Sequence, residues 1–261
     1  MSSPLTKTSA SASRTVWRLA WPNIISNLLF TTVGFLHIKI VAQLGTSSVA
    51  AVTTGHRVFF LVQAILMGVS VAATAMVARA WGAGQTERAE MVAWTSILLA
   101  VALAVSLSVP VVFAPEAIAS LFGLDEETTR LAGQFIFWLG VFNIFSAISM
   151  MLSTSLRAIG DVITPLCFLF FSSALNILCA WLLAFGIGPL PQMGVAGVSL
   201  GGSAGASLIT LTFALVWWRG HFSLKPIKRL AVDWHTARQV VNIGAPSVIE
   251  QGIVQVAFLA F

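Results

Sequence analysis

Seven long runs of apolar residues dominate the chain and constrain it more than any other feature. They cover Trp17–Ala42, Val58–Ala80, Met91–Phe113, Leu131–Ser155, Ile163–Ile187, Val195–Trp218 and Val241–Phe261. Each is about the 20 residues that a helix needs to cross the hydrocarbon core of a bilayer. The runs do not alternate in polarity, as strands of a membrane barrel would. A bilayer offers no water to unpaired backbone groups, so each run is read as a helix. The connections between them are short and rich in Gly, Pro and small polar residues: Gly45–Gly55, Gly82–Arg88, Ala158–Asp161 and Gly186–Gly194. Such segments punctuate helices and leave no room for a soluble domain.

Composition supports this reading. Hydrophobic residues make up 57% of the 261 residues and charged residues 9%, against about 25% charged in a soluble domain. Such a surface belongs in lipid. The net charge of +5 does not indicate nucleic acid, because the basic residues lie between apolar runs, as topogenic charges do. Cys167 and Cys179 stand twelve residues apart in one run, about 18 Å along a helix, and cannot bridge within it. No His or acid lies within a turn of either, so no metal site is expected there.

The basic residues orient the chain. With the N-terminus in the cytoplasm, eleven fall inside: Lys7, Arg14, Arg18, Arg79, Arg88, Arg157, Arg219, Lys225, Lys228, Arg229 and Arg238. Two, Arg57 and Arg130, fall outside, and Lys39 lies within a span. This is the positive-inside pattern. It predicts a disordered cytoplasmic tail over residues 1–16 and a six-helix lobe over 17–218. A cytoplasmic linker over 219–240 and the start of a second lobe over 241–261 follow.

An internal repeat explains the odd seventh run. Leu19-Ala20-Trp21-Pro22-Asn23-Ile24-Ile25-Ser26-Asn27 resembles Ile243-Gly244-Ala245-Pro246-Ser247-Val248-Ile249-Glu250-Gln251. Six spans lie between the copies, so both enter the membrane in the same direction, as parallel repeats do. The expectation is an all-α polytopic protein. It comprises a six-helix N-terminal lobe and the start of a seventh span, within a longer chain of twelve helices.

Five motifs then fall in an order that resembles the multidrug and toxic compound extrusion (MATE) family, its DNA-damage-inducible protein F branch in particular. They are Leu19–Pro22 through Val41–Gly45, Ala78–Gln85, Leu156–Pro165, Leu175–Leu178 and Gly194–Gly197. The resemblance implies export of small amphipathic, often cationic compounds by alternating access against inward H⁺ or Na⁺. A second lobe of the same chain completes the transporter. Two other readings stay open: a flippase for lipid-linked oligosaccharides of the wider superfamily, and an inactive half-transporter. No nucleophile–base or metal constellation suggests an enzyme, and no cofactor is expected.

The resemblance also marks a departure. His37 occupies the position where the family's first helix usually carries an Asp, and Ala180 stands where a second acid is usual, with Asn176 kept. Imidazole titrates near neutral pH, whereas Na⁺ wants oxygen ligands. His37 is therefore the candidate coupling site, for H⁺ rather than Na⁺; the alternative is a histidine that only bonds between helices. Asn176, Gln63 and Lys39 are the candidates for cavity lining. Lys39 can equally snorkel to headgroups. Pro22 is either a kink in the first helix or a helix-start proline. Arg157 and Asp161, four apart, are expected to pair in a structural loop.

Overall fold

The computed structural model describes residues 5–226 and 233–260. Lys228 and Arg229 of the linker lie outside them, as do the side chains of Lys7, Arg14 and Arg18. The chain forms eight helices in the described residues: α1 (Leu5–Ala42), α2 (Thr46–Gly82), α3 (Thr86–Phe113), α4 (Pro115–Ser120), α5 (Glu126–Ala158), α6 (Ile163–Phe185), α7 (Gly194–Trp218) and α8 (Trp234–Ala260). Six of them, α1 (over Ala20–Ala42), α2, α3, α5, α6 and α7, are long and apolar enough to cross a membrane.

The structure moves several boundaries. Residues 46–55, expected to connect two spans, are the first turns of α2. Gly45, at φ 107°, makes the turn, and α2 starts at once. The polar side chains that suggested a loop bond back to the helix instead: the Ser48 hydroxyl donates to the Leu44 carbonyl at 3.1 Å and the Thr53 hydroxyl to the Val49 carbonyl at 2.8 Å. This places His56 and Arg57 inside a helix. α1 is already helical at Leu5, where composition suggested a disordered tail. Pro22 consequently sits well inside α1, not at its start.

Glycine decides the closest packing. Gly197, Gly201 and Gly205 recur every four residues on α7, the small-residue spacing that lets membrane helices touch. A Cβ on Gly201 would strike the Cys179 carbonyl oxygen, one on Gly197 the Leu183 carbonyl oxygen, and one on Gly205 would lie 2.7 Å from the Leu175 carbonyl oxygen. The backbones of α6 and α7 therefore run in contact. α8 meets α2 in the same way, where a Cβ on Gly244 would come within 2.7 Å of the Gly68 carbonyl oxygen.

Elsewhere large side chains fill the core. Leu66, Met151, Leu152 and Phe213 belong to one buried cluster between α2, α3, α5 and α7. Phe213 stacks on Phe168 with ring centroids 4.2 Å apart.

α5 begins at a true N-cap. Asp125 accepts from the Thr128 backbone N–H at 3.0 Å. Hydrogen bonding from Thr128, side chain first and backbone second, holds the Asp125 carboxyl below the usual range. A depressed value means that the cap stabilises α5 above the ordinary carboxylate range and is lost as pH falls through its folded value. Asp125→Ala is expected to speed amide exchange over residues 126–129 at neutral pH and to leave the rest of α5 protected. At a pH low enough to protonate Asp125, the variant and the parent should exchange alike.

Candidate functional site

The α6–α7 contact places a polar site inside the bundle. Gly202 follows Gly201 on α7 and turns its carbonyl to Asn176 on α6. The Asn176 Nδ2 donates to that carbonyl at 2.8 Å. The other face of the amide meets α1, where Asn176 Oδ1 lies 2.7 Å from His37 Nε2.

This pair of contacts settles the protons. A backbone carbonyl can only accept, so Nδ2 must face Gly202 and Oδ1 must face His37. His37 Nε2 is then the donor. The neutral ring is the Nε2–H tautomer, and Nδ1 is the nitrogen left to take a proton. Gly202 has to be small for this, since a Cβ there would stand 3.1 Å from Asn176 Nδ2.

A second histidine completes the site. The His56 ring on α2 stands 6.3 Å from the His37 ring, tilted by 40°. Its other side meets Phe135 of α5 edge-on at 5.2 Å. Phe135 packs onto Gly55, where a Cβ would strike the ring, and its carbonyl accepts from the Ser199 hydroxyl of α7 at 2.7 Å. Five helices thus converge on two imidazoles and one amide. The carboxylates of the spanning helices lie near their ends: Glu87 and Glu90 at the start of α3, and Glu126 and Glu127 at the start of α5.

Sequence reasoning missed His56 because residues 45–55 read as a loop. A signal was present. His56, Gln63 and Ser70 recur every seven residues, which puts them on one face of a helix. Gln63 is therefore two turns, about 10 Å, along α2 from His56. Its Oε1 is buried and has no hydrogen-bond partner among the described residues. The Ser70 hydroxyl meets the Thr154 hydroxyl of α5 at 2.9 Å.

The other expected residues lie apart from this centre. Lys39 is exposed in the last turn of α1, about 200° around the helix from His37. Arg157 and Asp161 do not go to each other. Arg157 Nη2 reaches across to the Ser26 hydroxyl of α1 at 3.4 Å, and that hydroxyl donates to the Pro22 carbonyl at 2.8 Å. Asp161 Oδ1 accepts from the Thr164 N–H at 3.0 Å and caps α6. The loop turns too tightly for an i, i+4 pair, because Gly160 takes φ 91° between the two residues. Pro22 is buried. It removes one backbone donor from the middle of α1, and a hydroxyl bonded to the i−4 carbonyl is itself a feature of bent helices.

A bundle of six apolar spans enclosing a polar centre is the architecture of a multi-pass membrane transporter lobe. The chain belongs to the MatE family, whose pattern matches residues 22–182. It is 28% identical over 257 residues to the multidrug resistance protein NorM of Burkholderia vietnamiensis, covering 93% of this chain and 53% of that protein. It is 26% identical over 192 residues to an FAD transporter of Shewanella oneidensis, covering 74% of this chain and 42% of that one. The chain spans about half the length of the relatives it matches. The fold agrees with a MOP superfamily transporter from Pyrococcus furiosus at a TM-score of 0.83, with 22% identity over 91% of this chain and 52% of the other. It agrees with a MATE structure in the straight conformation at 0.81, with 23% identity over 91% and 52%.

Proposed function

We propose that this chain is a lobe of a secondary active exporter that moves small amphipathic compounds, cations among them, in exchange for H⁺. The lobe sits in the cell membrane with its N-terminus in the cytoplasm, an orientation that the bias of basic residues supports. A second six-helix lobe completes the path. Relatives that carry multidrug resistance and FAD transport support small organic substrates.

One observation carries the choice of ion. His37 is fixed through Nε2 by Asn176, which leaves Nδ1 as a proton acceptor in a part of the spans without carboxylates. An ionisable side chain at such depth is costly and marks a pathway. A proton fits this site; Na⁺, which needs several oxygen ligands, does not.

The test is efflux of a fluorescent cation from proteoliposomes holding the protein, under an imposed ΔpH or an imposed ΔNa⁺. ΔpH is expected to drive efflux and ΔNa⁺ to leave it at the level of empty liposomes. His37→Asn should abolish the response to ΔpH. Efflux driven by ΔNa⁺, or a His37→Asn protein that still follows ΔpH, would overturn the proposal.

A further inference from the structure

We propose that His56 and His37 form one site that holds a single proton, with His56 as its second carrier. The inference rests on the reading of His37 as the proton carrier and extends it to a residue that reading does not use. Its basis is the approach of the two rings. Their centroids are 6.3 Å apart, and two positive charges at that separation repel far more strongly among packed apolar side chains than in water.

Nothing in the surroundings offsets that repulsion. On α1 and α2 the neighbouring cations Lys39 and Arg57 are exposed and add positive charge. α6 contributes the thiols of Cys167 and Cys179, and α7 carries no charged side chain. α5 bears Glu126 and Glu127 about two turns before Phe135 and the cation Arg130 between one and two turns before it, and its Arg157 is at the far end. The charges at the start of α3 follow the end of α2, about 40 Å along the bundle from His56. α8 crosses α2 at Gly68, about 18 Å from His56, and its Glu250 and Arg238 are exposed. α4 brings Glu116 against Gly133 of α5, two residues from Phe135, but that side chain is exposed. With no carboxylate in contact with either ring, one imidazolium is the charge the site accepts.

The rings are not equivalent. His37 has Nε2 committed to Asn176, while the contacts of His56 are the rings of His37, Phe60 and Phe135. His56 is thus free to accept the proton when His37 gives it up. The transfer moves one proton between two nitrogens and changes nothing else.

The experiment is nitrogen-15 NMR of the histidines in the full chain, held in lipid nanodiscs without substrate, from about pH 8 to about pH 4. His221 and His235 are exposed and serve as references within the sample. One imidazolium shared by His37 and His56 is expected in the parent protein. In His37→Asn, and in His37→Gln, which keeps a donor for Asn176, the imidazolium should appear on His56. It should be absent from both positions in the double variant His37→Asn, His56→Asn. Two imidazolium rings together in the parent would overturn the proposal. So would a His56 that stays neutral in both folded single variants, or no imidazolium in the parent at any pH where it stays folded. Because the spectra need no transport, failure here is separate from failure of ΔpH-driven efflux.

Discussion

Gly201→Val is expected to prevent the lobe from assembling. The first Cβ atom at position 201 already meets the Cys179 carbonyl oxygen. That oxygen belongs to the α6 backbone and has no rotamer by which to retreat. α6 and α7 must move apart, and Gly197 and Gly205, one turn to either side, lose their contact as well. Overpacking costs about 1–3 kcal/mol even where side chains can give, and a backbone obstacle puts this change at or above that range. The variant should unfold at a lower temperature in detergent and accumulate poorly in membranes. Gly34→Ala is the control. A Cβ on Gly34 has nothing within 4 Å, so that change should leave the described bundle as stable or slightly more stable. If Gly201→Val and Gly34→Ala melt together, the backbone contact is not what joins α6 to α7.

Asn176→Leu is expected to have the second-largest effect, on both stability and coupling. The side chain satisfies two groups at once, the Gly202 carbonyl and the His37 Nε2–H. Leucine leaves both without a partner in a bundle that water reaches poorly. Each unsatisfied group costs about 1–3 kcal/mol, so a loss of roughly 2–6 kcal/mol is expected, read as a fall in melting temperature. His37 also loses the contact that fixes its tautomer, so ΔpH-driven efflux should be lost from whatever protein remains folded. Asn176→Asp separates the two roles. The carboxylate still accepts from His37, yet it sets an oxygen against the Gly202 carbonyl. That variant should stay destabilised while it keeps the His37 bond, detectable as the Nε2–H signal in the nitrogen spectrum. Unchanged melting in Asn176→Leu would show that the amide is not needed to hold α1, α6 and α7 together.

Much of this architecture is determined by the chain read on its own. Hydrocarbon thickness sets how long an apolar run must be, so the order of the six spans over α1–α7 follows from local composition. Motifs such as Ala78–Gln85 and Leu156–Pro165 are contiguous, and the family was legible from them. The same contiguous motifs are what place His37 and Ala180 where the resemblance leads one to expect acids. Local signals failed where side-chain chemistry was ambiguous. Ser48 and Thr53 look like loop residues, but with no water to bond they turn back onto the helix, and α2 starts at Thr46.

What only the tertiary structure decided is who meets whom. His37 and Asn176 are 139 residues apart, and Asn176 and Gly202 are 26 apart. Their meeting depends on how closely α6 can lie against α7, and that depends on three glycines whose spacing marks one face of α7 but not the helix that the face meets. His56 entered the site through the same packing, because α2, once extended to Thr46, carries the ring to within 6.3 Å of His37. Span count is a property of segments, each answering separately to the bilayer. The polar centre is a property of contacts between segments, and no single stretch of the chain contains one.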